Sequence, residues 1–267
     1  MKVVNHMKII SARCLLFTLL LTSCRSKDGD FNAFSSDFDV QLGKQFSMQL
    51  EEMGGAPILS PTDYPEAYQH LNQITDAILK SNKILYRDEF PWEVYIIRDD
   101  SVLNAFCTPG GYIYVYTGII KFLDSDDQLA GVIGHEIAHA DLRHSTEQLT
   151  KNYGLQIILQ VVLGESSFIG NAAKNLLSLS FSRSDETEAD MQSVEYLMDT
   201  EYDPRGVARF FQKMEKTGHS AGPLQFLNTH PNPENRVDNI YNKWKSLGKK
   251  EGRRFTKEYQ QFKESLP

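Results

Sequence analysis

The stretch "GVIGHEIAHADLRH", residues 131–144, places two histidines four residues apart, with a glutamate directly after the first. In an α-helix, residues four apart lie about 40° apart around the axis and about 6 Å apart along it. His135 and His139 can therefore direct two imidazoles at one point, while Glu136 points about 100° away from His135. This is the H-E-x-x-H arrangement, in which two histidines bind zinc and the glutamate acts as general base. The alternative is a pair of structural histidines on a buried helix.

A catalytic zinc site requires a third protein ligand and an open position for water. The downstream segment "SRSDETEADMQSVEYL", residues 182–197, offers four candidate ligands, which are Asp185, Glu186, Glu188 and Asp190. Helical spacing places Glu186 and Asp190 on the apolar stripe of this segment and Glu188 on its polar face. The pattern predicts Glu186 as the third ligand. Asp190, one turn later, is expected to accept the outer N–H of a ligand histidine; the alternative is a solvated carboxylate.

The two segments together resemble a known family. "GHEIAHADLRH" followed by "SRSDETEAD" is similar to the zinc endopeptidases that include HtpX, the CAAX-prenyl proteases, BepA and LoiP, with Glu186 and Asp190 at matching positions. "NAFCTPGGYIYVYTGII" looks like the family's substrate-side hairpin, and "THPNPENRV" like its late His-Pro segment. The resemblance covers roughly residues 37–248. It implies an α+β fold, a mainly helical zincin domain of the gluzincin type with a small antiparallel sheet.

The resemblance also implies a mechanism. One Zn²⁺ per chain would be held by His135, His139 and Glu186, and Glu136 would transfer protons during hydrolysis of a peptide bond. The developing oxyanion needs a second stabiliser, for which His230 and Arg236 are the sequence candidates. In some relatives the histidine corresponding to His230 is thought to approach the zinc and hold the enzyme shut. Both roles stay open for His230, as does the reading of a surface-loop histidine.

Residues 104–118, "NAFCTPGGYIYVYTG", hold a Pro-Gly-Gly turn between two extended arms, which predicts a β-hairpin. In the second arm the three tyrosines point to one face, and Ile113 and Val115 to the other. The first arm would offer an unpaired strand edge to an extended peptide substrate. The backbone of Asn104 and Ala105 is expected to make that contact.

The remaining pattern is mostly helical. Helices are predicted over 37–53, from 63–65 onward, over 125–143, 146–163, 170–180 and 183–199, and after the Asp203-Pro204 and Asn232-Pro233 pairs. Ser125 and Gln128 are expected to form a capping box at the start of the helix that carries the histidines. A strand is predicted over 92–99, and residues 251–267 are expected to form a C-terminal helical tail after a peptidase domain spanning 37–250.

The N-terminus indicates export. Residues 1–23 combine basic residues with the short apolar run "CLLFTLLLT", which is typical of a signal peptide. "LTSC", residues 21–24, resembles a lipoprotein cleavage site and implies a lipid on Cys24; an ordinary secretion signal is the alternative. Residues 24–36 read as a flexible tether. The expected location is the bacterial cell envelope, facing the periplasm and attached through the lipid, most simply to the outer membrane.

The net charge of the chain limits the classes of partner that can be expected. Loss of residues 1–23 would move the formal charge from -7 to about -10, because they carry three basic and no acidic residues. Such an acidic chain would repel nucleic acid. Peptides, unfolded proteins and envelope assembly partners are the expected partners. The predicted function is zinc-dependent proteolysis of unfolded or misassembled envelope proteins, most like the compact lipoprotein members such as LoiP. The alternatives are a non-enzymatic zinc-containing chaperone or assembly factor, and a structural metal-binding domain.

Overall fold

A computed structural model describes residues 32–52, 57–153, 166–176, 179–217, 225–231 and 235–267. The described elements, in chain order, are α1 (Ser36–Glu52), α2 (Pro65–Leu79), β1 (Glu93–Ile97), β2 (Ala105–Thr108), β3 (Tyr112–Tyr116), α3 (Thr117–Phe122), α4 (Asp126–Asp141), α5 (His144–Tyr153), α6 (Ser166–Asn175), α7 (Arg183–Leu197), α8 (Gly206–Thr217), α9 (Gln225–Thr229), α10 (Arg236–Ser246) and α11 (Thr256–Glu264). The expected α+β class, mainly helical with one small sheet, is confirmed.

Helix α4 carries the H-E-x-x-H motif and is buried along its whole length. It contacts α7, α8, α2 and strand β2. Two glycines on α4 allow α8 and α7 to pack closely against it. A Cβ on Gly131 would lie 2.2 Å from the backbone nitrogen of Val207 on α8, and one on Gly134 would lie 2.8 Å from Ser193 Oγ on α7. The absence of side chains at these two positions therefore sets how near α7 and α8 lie to the histidine helix.

The sheet has the strand order β1-β3-β2. The hairpin strands β2 and β3 are antiparallel, as predicted, and the turn between them uses Gly110 and Gly111 at φ values of 80° and 82°. Strand β1 pairs with β3 in parallel, so the expectation of a purely antiparallel sheet is wrong. The reason is topological: β2 reverses the chain before β3, and β1 pairs with β3 instead of with the strand that follows it.

The two faces of β3 enter two different clusters of buried residues. Ile113 and Val115 face the main core, which also contains residues of α4, α7 and α8. Tyr112 and Tyr114 face a second cluster, formed with α1 and α6. The alternation predicted from "YIYVY" is confirmed. The strand order places β2 at one edge of the sheet, beside α4.

Most helix boundaries follow the sequence pattern, but the helix predicted over 170–180 spans Ser166–Asn175, the pattern does not predict α3 or α9, and one predicted cap is wrong. The Ser125 side chain accepts no hydrogen bond from a backbone N–H in the first turn of α4. Its hydroxyl instead donates to Asp127 Oδ1, and Gln128 Oε1 accepts from the backbone of Asp124. The expected capping box is absent there because both of its members are engaged by other neighbours.

The C-terminal segment is helical, as predicted, and contributes to the main core through Tyr259 and Phe262 of α11. Tyr259 also donates a hydrogen bond to the backbone oxygen of Ile120 at 2.7 Å. Within the described ranges, no helix combines the length and the apolar character needed to cross a bilayer. The predicted signal peptide, the predicted lipidation site at Cys24 and most of the predicted tether lie outside these ranges, as does the apolar end of the helix predicted over 146–163.

Candidate active site

The two motif histidines converge as their spacing predicts. His135 and His139 lie one turn apart on α4, and both side chains are buried. Their Nε2 atoms are 3.0 Å apart. Phe181 stacks on the His139 ring with a centroid distance of 3.9 Å and an interplanar angle of 19°, which restricts the tilt of that ring.

Helix α7 brings one carboxylate to this pair. A capping box at Ser182 and Asp185 fixes the start of the helix, so Asp185 is used by the cap. In the next position, Glu186 is buried, and its Oε1 lies 3.3 Å from His139 Nε2 while its Oε2 lies 3.5 Å from His135 Nε2. Of the four candidate carboxylates, the structure brings Glu186 to the Nε2 atoms of the two histidines.

His230 joins the same group. It follows α9, and its Nδ1 lies 2.9 Å from Glu186 Oε1 and 3.3 Å from His135 Nε2. Phe226 stacks on its ring at a centroid distance of 4.4 Å. The potential ligand atoms of His135, His139, Glu186 and His230 all lie within 4.8 Å of one another. The surface-loop reading of His230 is wrong, because its side chain is 1% exposed.

This donor set fits zinc. Three imidazoles and one carboxylate match the nitrogen and oxygen ligands that zinc takes in proteins. A tetrahedral ion with ligand bonds of about 2.0–2.1 Å spaces its ligand atoms about 3.3–3.4 Å apart. The distances among the Nε2 atoms of His135 and His139 and the oxygens of Glu186 run from 3.0 to 3.5 Å. The four residues can therefore hold one ion without a large rearrangement.

The charges of the site also suit a cation. Burial acts to raise the pKa of Glu186, but hydrogen bonds from the three histidines outweigh it and hold that pKa far below its usual range. Burial lowers the pKa of His139 well below its usual value, which favours the neutral ring that a metal requires. Burial acts in the same direction on His135, yet hydrogen bonds to Asp190 and Glu186 outweigh it and raise its pKa to about 9.

A buried ion pair lies behind the ligands. Asp190 Oδ1 is 3.0 Å from His135 Nδ1, the ring nitrogen that faces away from the ligand group, which is where the sequence pattern places it. Arg236 contacts Asp190 through Nε and Nη2 at 2.6 and 2.8 Å, and Glu186 Oε2 through Nη2 at 3.0 Å. Nε and Nη2 of Arg236 are thus engaged by two carboxylates, while its buried Nη1 has no hydrogen-bond partner among the described residues. An oxyanion-stabilising role for Arg236 stays a prediction.

The sequence reasoning missed one contact. His144 begins α5, and its Nδ1 lies 2.9 Å from Nδ1 of His139. Its Nε2 lies 3.4 Å from Glu188 Oε2. The only sequence signal is a histidine directly after the end of the motif helix, and helical periodicity does not extend through that break.

Glu136 borders a cleft on the other side of the ligands. Its side chain is 1% exposed, and its Oε1 has no hydrogen-bond partner among the described residues. Burial raises the pKa of Glu136, and the nearby His230 and His135 oppose that effect. The cleft it borders is lined by residues of β2, by residues of the chain that follows α6, and by Thr229 and His230. A buried carboxylate with a raised pKa beside a cleft is typical of a proton-transfer group.

The open edge of β2 faces this cleft. The backbone oxygen of Asn104 accepts a hydrogen bond from Tyr116 N–H at 3.1 Å, so that group is not available to a substrate. In an antiparallel ladder, successive residues alternate between the paired and the open edge. The alternation directs the backbone groups of Ala105 and Cys107 outward. Asn104 borders the cleft through its side chain, whose buried Oδ1 has no partner among the described residues.

Comparison with known proteins agrees with this arrangement. The sequence profile of peptidase family M48 matches residues 65–243. Metalloprotease LoiP of Escherichia coli K12 is 26% identical over 246 residues, 86% of this chain and 94% of LoiP. Mitochondrial metalloendopeptidase OMA1 of Schizosaccharomyces pombe is 28% identical over 215 residues, 79% of this chain and 62% of OMA1.

The β-barrel assembly-enhancing protease of Escherichia coli K12 is 27% identical over 221 residues, 77% of this chain and 43% of that protein. The chain thus spans less than two thirds of the length of this protease and of the yeast OMA1. The family expected from the sequence is confirmed. Because the family profile covers more than half of the chain, including the H-E-x-x-H helix and the Glu186 helix, the protein belongs to peptidase family M48.

Proposed function

We propose that this chain is a zinc-dependent endopeptidase with His135, His139 and Glu186 as metal ligands. The observation that carries the proposal is the convergence of these three side chains within about one ion's coordination sphere, with Glu136 on the cleft side. When bound, zinc would polarise the carbonyl of the scissile bond and make attack by water possible at neutral pH. Membership of a zinc-dependent peptidase family supports this assignment.

Glu136 is the general base and acid of this proposal. Its carboxylate would take a proton from the attacking water and later deliver it to the leaving amine. Burial raises its pKa toward the range in which both steps are feasible near neutral pH. Its Oε1 has no hydrogen-bond partner among the described residues, so it could accept a hydrogen bond from the water once His230 has moved aside.

His230 has two roles in the proposal. Its Nδ1 lies in the ligand group, and its Nε2 lies 3.6 Å from Glu136 Oε1, so in this arrangement it takes the place that water would need. Substrate entry then requires His230 to move aside. Once displaced, an imidazole at the cleft margin is a suitable hydrogen-bond donor to the oxyanion.

The substrate would bind as an added strand on β2. The outward backbone groups of Ala105 and the outward carbonyl group of Cys107 would pair with an extended peptide. The backbone N–H of Cys107 is instead directed at Glu136, whose pKa it lowers, so the bound peptide would lie beside that carboxylate. Backbone pairing depends little on side-chain identity. It suits a protease that acts on unfolded chains.

The cellular role is part of the same proposal. We assign the protein to the quality control of unfolded or misassembled cell-envelope proteins, with a lipid on Cys24 holding it to the outer membrane on the periplasmic side. The lipoprotein-like N-terminal sequence and the similarity to a β-barrel assembly-enhancing protease support this setting. Incorporation of labelled palmitate into the native chain and its absence from Cys24→Ala would test the anchor.

The second candidate is a zinc-stabilised assembly factor without catalytic activity. The position of His230 favours it, since a fourth protein ligand closes a zinc site and is typical of structural zinc. The two candidates differ in what Glu136 does, because a structural site has no use for a base beside the metal.

The deciding experiment compares purified full-length protein with Glu136→Gln in casein cleavage, after metal analysis of both. The proposal predicts equal zinc content and loss of cleavage in the variant. Glu195→Gln is the matched control, since it neutralises a carboxylate that pairs with Lys243 on the outer side of α7. Its cleavage rate should equal that of the wild type. Native cleavage by Glu136→Gln would rule out the mechanism, and absence of cleavage by zinc-loaded wild type would favour the assembly factor.

A further inference from the structure

Beside the candidate zinc site lies a buried imidazole that does not belong to the ligand group. His144 is the first residue of α5 and is 2% exposed. Its Nδ1 lies 2.9 Å from His139 Nδ1, a distance that requires a shared proton between the two rings. His139 therefore uses its two ring nitrogens differently: Nε2 faces the other ligand residues, and Nδ1 faces His144.

The two nitrogens cannot both donate or both accept. If His139 binds the metal through Nε2, its proton is on Nδ1, and that N–H donates to His144. His144 must then accept on Nδ1 and keep its own proton on Nε2. That nitrogen faces Glu188 Oε2 at 3.4 Å, so a carboxylate is present to accept its proton in a hydrogen bond.

The neighbouring structure holds His144 in place. The turn before it contains Arg143 at a φ of 62°, and Arg143 donates to the backbone oxygen of Phe34 at 2.6 Å and to the carboxylate of Asp39. Because Asp39 and Phe34 belong to the segment at the start of α1, this segment fixes the turn between α4 and α5. The position of His144 relative to His139 is therefore set by three parts of the chain.

The two ligand histidines thus have different partners. His135 is supported by Asp190 and Arg236, a charged pair. His139 is supported by His144, another imidazole, which in turn faces Glu188, whose carboxylate is 40% exposed. Glu186 and Glu188 lie two residues apart on α7, so one helix supplies both a ligand and the carboxylate that faces His144.

We propose that His144 is a positioning residue for the metal site: it accepts the Nδ1–H of His139, fixes the ring that binds zinc, and has its own tautomer set by Glu188. The inference rests on the proposed zinc site. Residues that hold a ligand histidine in this way typically change metal affinity by about 10–100-fold when they are replaced.

The test measures the zinc dissociation constant of the full-length protein by competition with a chelator. His144→Leu, which removes the acceptor, should weaken binding about 10–100-fold. His144→Asn should restore most of the affinity, because its amide oxygen lies at the position of Nδ1. The melting temperature of the metal-free variants reports any general loss of folding. Unchanged zinc affinity in His144→Leu would overturn the inference.

Nitrogen NMR of the unaltered, zinc-loaded protein gives a second readout that does not depend on a variant folding. His144 should be the Nε2–H tautomer, with its Nδ1 unprotonated. An Nδ1–H tautomer would overturn the inference, since His139 could then not donate to it. A wild-type protein that binds no zinc would instead refute the proposed function, so the two failures are distinguishable.

Discussion

Replacement of Arg236 by methionine should destabilise the metal-free protein strongly. The guanidinium makes contacts of 2.6 and 2.8 Å to Asp190 and 3.0 Å to Glu186, and the three side chains are 0–2% exposed. Methionine fills a similar volume but leaves both carboxylates buried without their cation. Breaking a buried ion pair from one side typically costs about 3–5 kcal/mol. This is a large part of the roughly 5–15 kcal/mol that stabilises most domains.

The assay is urea unfolding in the presence of a chelator, with the free energy obtained by linear extrapolation. Arg253→Met is the matched control, because Arg253 also pairs with a glutamate, Glu201 at 3.3 Å, and contacts an aromatic ring, that of Phe255. The Arg253 side chain is 65% exposed, so its loss should cost about 1 kcal/mol or less. The double variant Arg236→Met with Asp190→Asn should recover part of the loss, since one unpaired charge is removed.

The reasoning would be refuted if Arg236→Met cost no more than Arg253→Met. That result would mean that solvent or another cation compensates the two carboxylates in the metal-free protein. The burial of Arg236 would then have no energetic consequence of its own.

Three further outcomes are expected. Zinc at about 100 times its dissociation constant should stabilise the protein by about 2.7 kcal/mol in thermal unfolding, and His139→Ala should abolish most of that shift. Gly131→Ala should lower the unfolding free energy by about 1–3 kcal/mol, because the new Cβ would lie 2.2 Å from the Val207 nitrogen; full stability in urea would refute this. Peptides with aromatic or aliphatic residues beside the scissile bond should have a kcat/KM about tenfold or more above charged ones, since Phe106 and Phe181 line the cleft and a buried unpaired charge is costly.

The local part of the site could be predicted from the sequence. His135 and His139 converge because both lie on one helix, where spacing alone fixes their relative direction. Glu186 and Asp190 could be separated from Glu188 because the apolar stripe of α7 identifies its buried face. The two faces of β3 followed from strict alternation in the same way.

Structural features that depend on contacts between segments distant in sequence could not be predicted from the sequence. Arg236 lies behind the ligands because α10 packs on α7, and no periodicity in either helix states that contact. The parallel pairing of β1 depends on which strand it meets, which local propensity does not determine. His144 lies after a helix break, so its contact with His139 depends on the turn at Arg143.

The central claim is that two imidazoles from α4 and one carboxylate from α7 hold a single zinc ion. A crystal structure of the protein purified with zinc, with anomalous scattering recorded on both sides of the zinc absorption edge, tests this directly. The account predicts one zinc per chain, bonded to Nε2 of His135, Nε2 of His139 and the carboxylate of Glu186. A zinc-replete crystal with no anomalous peak among these three side chains would contradict it.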